Sequence, residues 1–122
     1  MTIFRDNATG AAAIAVDVTA PVSGEQQVLR YLKSVTLHLS AAPTTSESFT
    51  ITKKPYDTAT GGTTEYDTLV LSEDLSVSSV TDLVYEPARP IMLIKGDVWT
   101  IAYANTDTGT YGLEIVTSDM EV

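Results

Sequence analysis

The stretch WTIAYANTDTGTYGLEI, residues 99–115, decides the fold. Its large apolar residues stand at every second position in two sets: Trp99, Ile101 and Tyr103, then Tyr111, Leu113 and Ile115. Alternation of this kind turns one face of a β-strand toward a core and the other toward water. Between the two sets, residues 105–109 supply the Asn, Asp and Gly that favour turns. The stretch therefore predicts two strands joined by a turn.

The same alternation recurs along the rest of the chain. It is found at residues 14–18, 35–39, 49–51, 69–71 and 83–85, with turn-forming residues between most of these runs. Short strands separated by turns are typical of sandwiches and jelly rolls. We therefore predict an all-β fold, a single-domain antiparallel β-sandwich that is jelly-roll-like and has about eight strands.

Two further segments carry less regular patterns. Residues 91–94 are apolar on both faces, which favours a strand at the centre of a sheet. Residues 26–33 contain an apolar stripe that a helix would also explain. That segment is short and continues directly into the alternating run at 35–39, so a strand is preferred there.

The length of 122 residues fits one domain with one core. We predict that residues 11–117 form the sandwich. Residues 1–10 are either an N-terminal arm that becomes ordered on a partner or an edge strand of the same domain. Residues 118–122 are predicted to be a C-terminal tail.

Composition narrows the classes of partner. There are no cysteines, so disulfides and thiolate metal sites are excluded. Seven basic and sixteen acidic residues give a net charge of -9, which repels phosphate groups. No segment approaches the roughly 20 apolar residues that span a bilayer, and acidic residues interrupt the short apolar run near the start, unlike a secretion signal. We expect neither a nucleic acid nor a membrane as partner, and synthesis in the cytoplasm.

The residues form no pattern for catalysis or for a cofactor. His38, the only histidine, stands on the polar face of an alternating run, and no serine has the glycines of a nucleophile elbow. Scattered acids single out no pair for glycoside hydrolysis. Residues 105–109 resemble the start of a calcium loop, but Gly109 and Val116 stand where further carboxylates are needed. We therefore predict a protein that is not an enzyme and has no cofactor or metal.

The stretch KPYDTATGGTTEYDT, residues 54–68, contains the triplet Tyr-Asp-Thr twice. The glycine pair at 61–62 favours a hairpin bend, so residues 49–57 and 65–71 are predicted to be paired strands. The alternative is a loop or glycan contact, or a small cation site. It would be formed by Tyr56, Asp57, Tyr66 and Asp67.

The second half of the chain carries several strand and turn patterns together. They are YDTL at residues 66–69, DLVY at 82–85, KGD at 95–97, WTIAYAN at 99–105 and TYGL at 110–113. In these patterns, and in its small size, acidic balance, Thr and Ser richness and lack of cysteine, the chain resembles small all-β virion proteins of tailed bacteriophages. Those proteins decorate or cement a capsid or form part of a head fibre.

The resemblance implies a non-enzymatic capsid decoration or cement protein that self-associates, as a trimer, and binds the major capsid protein to stabilise the shell. Such a protein would lie on the capsid surface of the virion after synthesis in the host cytoplasm. Within residues 1–10, the apolar Ile3 and Phe4 and the following Arg5 are the candidate partner contact. The alternative is a carbohydrate-binding β-sandwich module of a phage fibre or host-surface protein. Its sugar would stack on Trp99 or on the tyrosines at 56 and 66, although the position of Trp99 in its alternating run favours the core.

Overall fold

The computed structural model describes residues 2–20, 28–55, 66–77, 79–89, 91–94 and 96–121. Within those ranges the chain forms nine β-strands and no helix. The strands are β1 (Thr2–Gly10), β2 (Ile14–Thr19), β3 (Val28–Leu39), β4 (Ser48–Lys54), β5 (Thr68–Asp74), β6 (Asp82–Tyr85), β7 (Ile91–Leu93), β8 (Val98–Tyr103) and β9 (Tyr111–Glu121). In these ranges, accordingly, no helix is long and apolar enough to cross a membrane.

The strands form two antiparallel sheets. The first has the order β1-β9-β3-β6, with β7 also paired to β3, and the second has the order β2-β8-β4-β5. β6 and β7 pair with different parts of β3, so they share one strand position of the first sheet. Each sheet therefore has four positions, and the chain passes from one sheet to the other in the manner of a jelly roll. The predicted all-β antiparallel sandwich is confirmed.

The core lies between the inner faces of the two sheets. Its largest fully buried side chains are Trp99, Phe49, Ile14, Leu32, Leu39, Ile51, Leu75, Leu93, Ile101 and Ile115. Trp99 lies on the inner face of β8, a strand flanked by β2 and β4, and its indole is 0% exposed. The rings of Phe49 and Tyr103 pack at 6.5 Å between centroids. The alternation at 99–115 therefore predicted the buried faces of β8 and β9 correctly.

The C-terminal residues belong to the first sheet. β9 runs to Glu121 and pairs with β3 from Tyr111 opposite Leu39 to Glu121 opposite Val28. The prediction of a tail at 118–122 is corrected as far as residue 121. Its polar sequence looked like a frayed end, but Ser118 is only 2% exposed because neighbouring strands cover both of its sides. One extra residue, Lys33, is accommodated in β3 where the register shifts.

The N-terminal residues form the edge of the same sheet. β1 pairs with β9 in unbroken register from Thr2 opposite Asp119 to Gly10 opposite Tyr111. The sequence left two alternatives for residues 1–10, an N-terminal arm and an edge strand. In the structure, residues 2–10 form the edge strand. β1 has β9 as its only strand neighbour among the described residues.

The segment at 91–94 is not central. β7 is a short strand paired with β3 alone among the described strands, and Met92 and Ile94 are 37% and 45% exposed. Only the alternate residues of this segment face the core, as the full burial of Leu93 shows. The apolar residues at 91–94 were therefore a misleading sign of a central strand, because the side of this segment that faces away from the core is apolar but exposed.

The predicted turns are present where the structure describes them. Asn105 and Thr108 have φ values of 51° and 52°, and the Asn105 side chain bonds the backbone N–H and C=O of Gly109 at 3.1 and 3.0 Å. This is the turn predicted at 105–109. β4 and β5 pair antiparallel as predicted, from Ser48 opposite Asp74 to Lys53 opposite Thr68, while the predicted bend at residues 61–62 lies outside the described residues. The segment 26–33 is a strand from Val28 onward, so the helix alternative is not realised there.

Candidate functional site

The three predicted contact residues of β1 do not share one surface. Ile3, Phe4 and Arg5 are all exposed, but successive side chains of a strand point to opposite faces. Phe4 lies opposite Thr117, whose side chain is buried in the sandwich, so it takes the inner face. Ile3 and Arg5 therefore lie on the outer face of the first sheet, and Phe4 does not.

Phe4 is part of a contact that joins the two sheets. The guanidinium of Arg30 lies over the Phe4 ring, 5.2 Å from its centroid. Arg30 also donates two hydrogen bonds to the Asp119 carboxylate, at 2.7 and 2.8 Å, and one to the carbonyl of Thr19 in β2, at 2.8 Å. The hydrogen bonds and charge of Asp119 raise the pKa of Arg30 above its usual value, against the effect of burial. Phe4 thus contributes to the fold at this end of the sandwich.

The outer face of the first sheet is apolar at the end where β1 begins. One row across the strands runs from Ile3 through Ser118 and Tyr31 to Met92. In the next row, Leu29 lies opposite Met120. Ile3, Met120 and Met92 are 64%, 46% and 37% exposed, and Leu29 and Tyr31 are half-buried. We call these five apolar residues, Ile3, Leu29, Tyr31, Met92 and Met120, the apolar face.

Sequence reasoning found only Ile3 of this surface. The other four residues come from β3, β7 and β9, and their proximity depends on strand register, which the sequence pattern does not reveal. The spacing of Leu29 and Tyr31 could have indicated part of this surface, because it places two large apolar side chains on the face of β3 opposite the buried Leu32.

The other end of the same outer face carries a groove that contains polar and charged side chains. One row runs from Thr9 through Gly112 and His38 to Asp82, and the next contains Asn7, Glu114, Thr36 and Val84. The groove over these rows has a volume of about 340 Å³. Gly112 forms its floor, and a Cβ atom added there would meet nothing within 4 Å. We call this the Gly112 groove.

Two carboxylates stand in the Gly112 groove, each already in contact with a neighbouring side chain. Asp82 Oδ1 lies 2.6 Å from Nδ1 of His38, and this hydrogen bond lowers the pKa of Asp82 below its usual value. Glu114 Oε2 lies 3.3 Å from Nε of Arg5. His38 has a side chain that is 67% exposed, which confirms its predicted place on a polar face.

Two further carboxylates, those of Asp107 and Glu47, connect the loops at the end of the sandwich near residues 105–109. Asp107 accepts hydrogen bonds from the backbone N–H groups of Thr44 and Thr45, at 2.7 and 3.0 Å, and from the Thr45 hydroxyl at 2.6 Å. These bonds lower the pKa of Asp107 to about 2. Glu47 in turn accepts bonds from the backbone and hydroxyl of Thr106. The carboxylate that resembled a calcium ligand is therefore a link between two loops.

The residues proposed as a glycan contact are only partly described. The side chain of Tyr66 is 66% exposed, and Oδ1 of Asp67 is buried and accepts no hydrogen bond from the described residues. Tyr56 and Asp57 lie outside the described residues. Trp99 is buried, so its alternative role in sugar stacking is not supported. In the described part of the chain, no three His, Asp or Glu side chains are grouped to hold a metal ion.

No protein-family model matches this sequence, and no curated protein is significantly similar to it. The features of this protein that bear on its function are therefore its fold, the apolar face and the Gly112 groove.

Proposed function

We propose that this protein is a non-enzymatic structural protein of a virion, a capsid decoration or cement protein that self-associates and binds the major capsid protein of the shell. The observation that carries the proposal is the apolar face on the outer side of the first sheet. Contiguous exposed apolar side chains on a soluble domain are typical of protein interfaces. The jelly-roll fold is also used by viral capsid domains, which agrees with this class without establishing it.

The charges around the apolar face favour contact between copies. A protein with a net charge of -9 repels its own copies over most of its surface. No acidic side chain is described in the two rows of the apolar face, and the nearest row contributes Arg5. Lys33 is exposed at the register shift of β3. Two copies meeting here would bury apolar area without bringing carboxylates together.

The edge strand supplies a second means of contact. β1 presents one unpaired edge among the described strands, and such an edge can pair with a strand of another chain. A closed oligomer that binds a repeating shell gains affinity because each later contact is intramolecular. A trimer is the state that the resemblance to capsid decoration proteins implies.

The capsid role is tested directly by measuring whether this protein binds to capsid shells. Shells that lack this protein are incubated with the purified wild-type protein, with Met92→Asp and with Val77→Asp, and then sedimented. Val77 is the matched control because it is apolar and 78% exposed, but lies outside the apolar face. We expect the wild type and Val77→Asp to sediment with the shells and Met92→Asp to lose most of its binding. Failure of the wild type both to sediment and to self-associate would eliminate the proposal.

A carbohydrate-binding module of a phage fibre or host-surface protein is the second candidate. It is favoured by one observation, the exposed ring of Tyr66 next to the β4–β5 hairpin, since aromatic rings at a surface can stack on sugars. A glycan array with the wild type and Tyr66→Ala distinguishes the two candidates. Binding that Tyr66→Ala abolishes would favour the module, and an array without signal would leave only the capsid role.

A further inference from the structure

We propose that the Gly112 groove binds a basic side chain, lysine or arginine, presented by a partner protein. This site is separate from the apolar face and does not depend on self-association. The partner chemistry follows from three features: a glycine that the fold does not require, the carboxylate and hydroxyl acceptors among the lining residues, and the negative charge of the groove.

Gly112 is not required by the backbone or by packing. It lies inside β9 between two neighbouring strands, with no positive φ and with open space where a side chain would be. Glycine weakens a strand interior, and at such a position it often marks a close approach by a ligand. The missing side chain leaves a gap between Thr9 and His38, and that gap gives the groove its depth.

Two carboxylates and two hydroxyl groups are among the side chains that line the groove, and all four can accept hydrogen bonds. The Asp82 carboxylate supplies two acceptor oxygens, one of which lies 2.6 Å from Nδ1 of His38. The Glu114 carboxylate and the hydroxyl oxygens of Thr9 and Thr36 add further acceptors. An ammonium or a guanidinium has only donors, so it complements this set. A phosphate has only acceptors and would be repelled.

The charge and the volume of the groove also favour a long basic side chain. Asp82 and Glu114 make the groove negative, and the protein as a whole attracts cations. Arg5 already contacts Glu114, but both side chains are exposed, so exchange of this weak ion pair for an incoming cation costs little. The exposed Val84 offers apolar contact to an aliphatic stem. The groove volume of about 340 Å³ accommodates one long side chain.

Nuclear magnetic resonance with a defined probe tests this site. The isotopically labelled wild-type protein is titrated with acetyl-glycyl-lysyl-glycinamide, and separately with the same peptide carrying uncharged norleucine. We expect saturable shifts confined to the groove, including the amides of Gly112 and His38, with lysine and none with norleucine. Equal shifts with both peptides, shifts centred elsewhere, or no saturation up to the solubility limit of the probe would overturn the proposal.

Three variants sharpen the test. Gly112→Val fills the groove and should abolish the shifts while leaving the rest of the spectrum dispersed as in the wild type. Glu114→Gln should weaken binding roughly fivefold, the size expected from one exposed ion pair. Asp17→Asn removes the same charge from the outer face of the second sheet and should leave binding unchanged. Unaltered binding by Gly112→Val, or equal weakening by Glu114→Gln and Asp17→Asn, would contradict the assignment.

Discussion

At the scale of single residues, charged side chains act here as connectors between strands and loops. Arg30 joins β3 to Asp119 of β9 and to a carbonyl of β2, and Asp107 joins the turn at 105–109 to Thr44 and Thr45. Both contacts link segments that are far apart in sequence. Neither was predictable from the sequence, since alternation shows which face a residue takes but not which partner it meets.

Loss of the Arg30–Asp119 contact should destabilise the fold. We expect Asp119→Asn to lower the free energy of unfolding by about 2 kcal/mol, because it weakens a charge-assisted bidentate pair that is largely shielded from water. Chemical denaturation measures this change. Arg5→Gln is the control: it removes an ion pair whose side chains are 66% and 39% exposed, and it should cost less than about 0.5 kcal/mol. Equal effects of the two substitutions would show that Arg30 and Asp119 do not form the contact described.

The low pKa of Asp107 predicts a loss of stability in acid. Its pKa of about 2 lies below the unfolded value of 3.8, so the folded state binds this proton less readily. The stabilisation is therefore complete above the unfolded pKa and disappears as the pH falls toward 2. Thermal melting of the wild type and Asp107→Asn between these pH values checks this prediction. The difference between their melting temperatures should shrink as the pH falls, and a constant difference would contradict the role of the carboxylate.

At the scale of elements, the sequence predicted the strands that have one apolar face and one polar face. β2, β4, β8 and the first part of β9 alternate between core and solvent, and their buried residues were recognisable. β7 and the end of β9 were misassigned because their outer faces do not show a simple polar pattern: Met92 is apolar and exposed, and Ser118 is polar and buried. Two residues of the apolar face, Met92 and Met120, lie on these elements and two more lie on β3, so the sequence pattern located only its β1 residue.

The end of β9 should be essential for stability. A chain that stops after Thr117 loses the pairing of Ser118, Asp119 and Met120 with β3, together with the ion pair of Arg30. We expect a melting temperature lowered by many degrees or no folded protein, whereas deletion of Val122 alone should change little. Circular dichroism during heating measures both. An unchanged melting temperature after the longer deletion would restore the prediction of a tail.

Two glycines should respond in opposite directions to substitution. Gly112→Thr should raise the free energy of unfolding by about 0.5–1 kcal/mol, because threonine favours strands and has open space at this position. Gly96→Ala should lower it by about 1 kcal/mol, because Gly96 has a φ of 80° in the turn that closes with the Ile94–Asp97 backbone hydrogen bond. Chemical denaturation of both variants checks this pair. Destabilisation by Gly112→Thr would mean that the glycine has a structural role, and the argument for a binding groove would weaken.

At the scale of the whole molecule, one sheet carries both proposed contact surfaces. The apolar face and the Gly112 groove lie at opposite ends of the outer face of the β1-β9-β3 sheet, and the net charge of -9 opposes contact elsewhere. A copy bound at the apolar face would leave the groove free for a basic residue of a different protein. This division of one surface is suited to a protein that forms an oligomer and also binds a shell.

Self-association is tested most directly by the molar mass of the purified protein in solution, measured by light scattering for the wild type, Ile3→Asp and Val77→Asp. We expect a closed oligomer for the wild type and for Val77→Asp, whose substitution lies away from the apolar face. Ile3→Asp places a carboxylate in the apolar face, on its edge strand, and should be monomeric while remaining folded. A monomeric wild type, or an Ile3→Asp variant with undiminished mass, would contradict self-association through the apolar face.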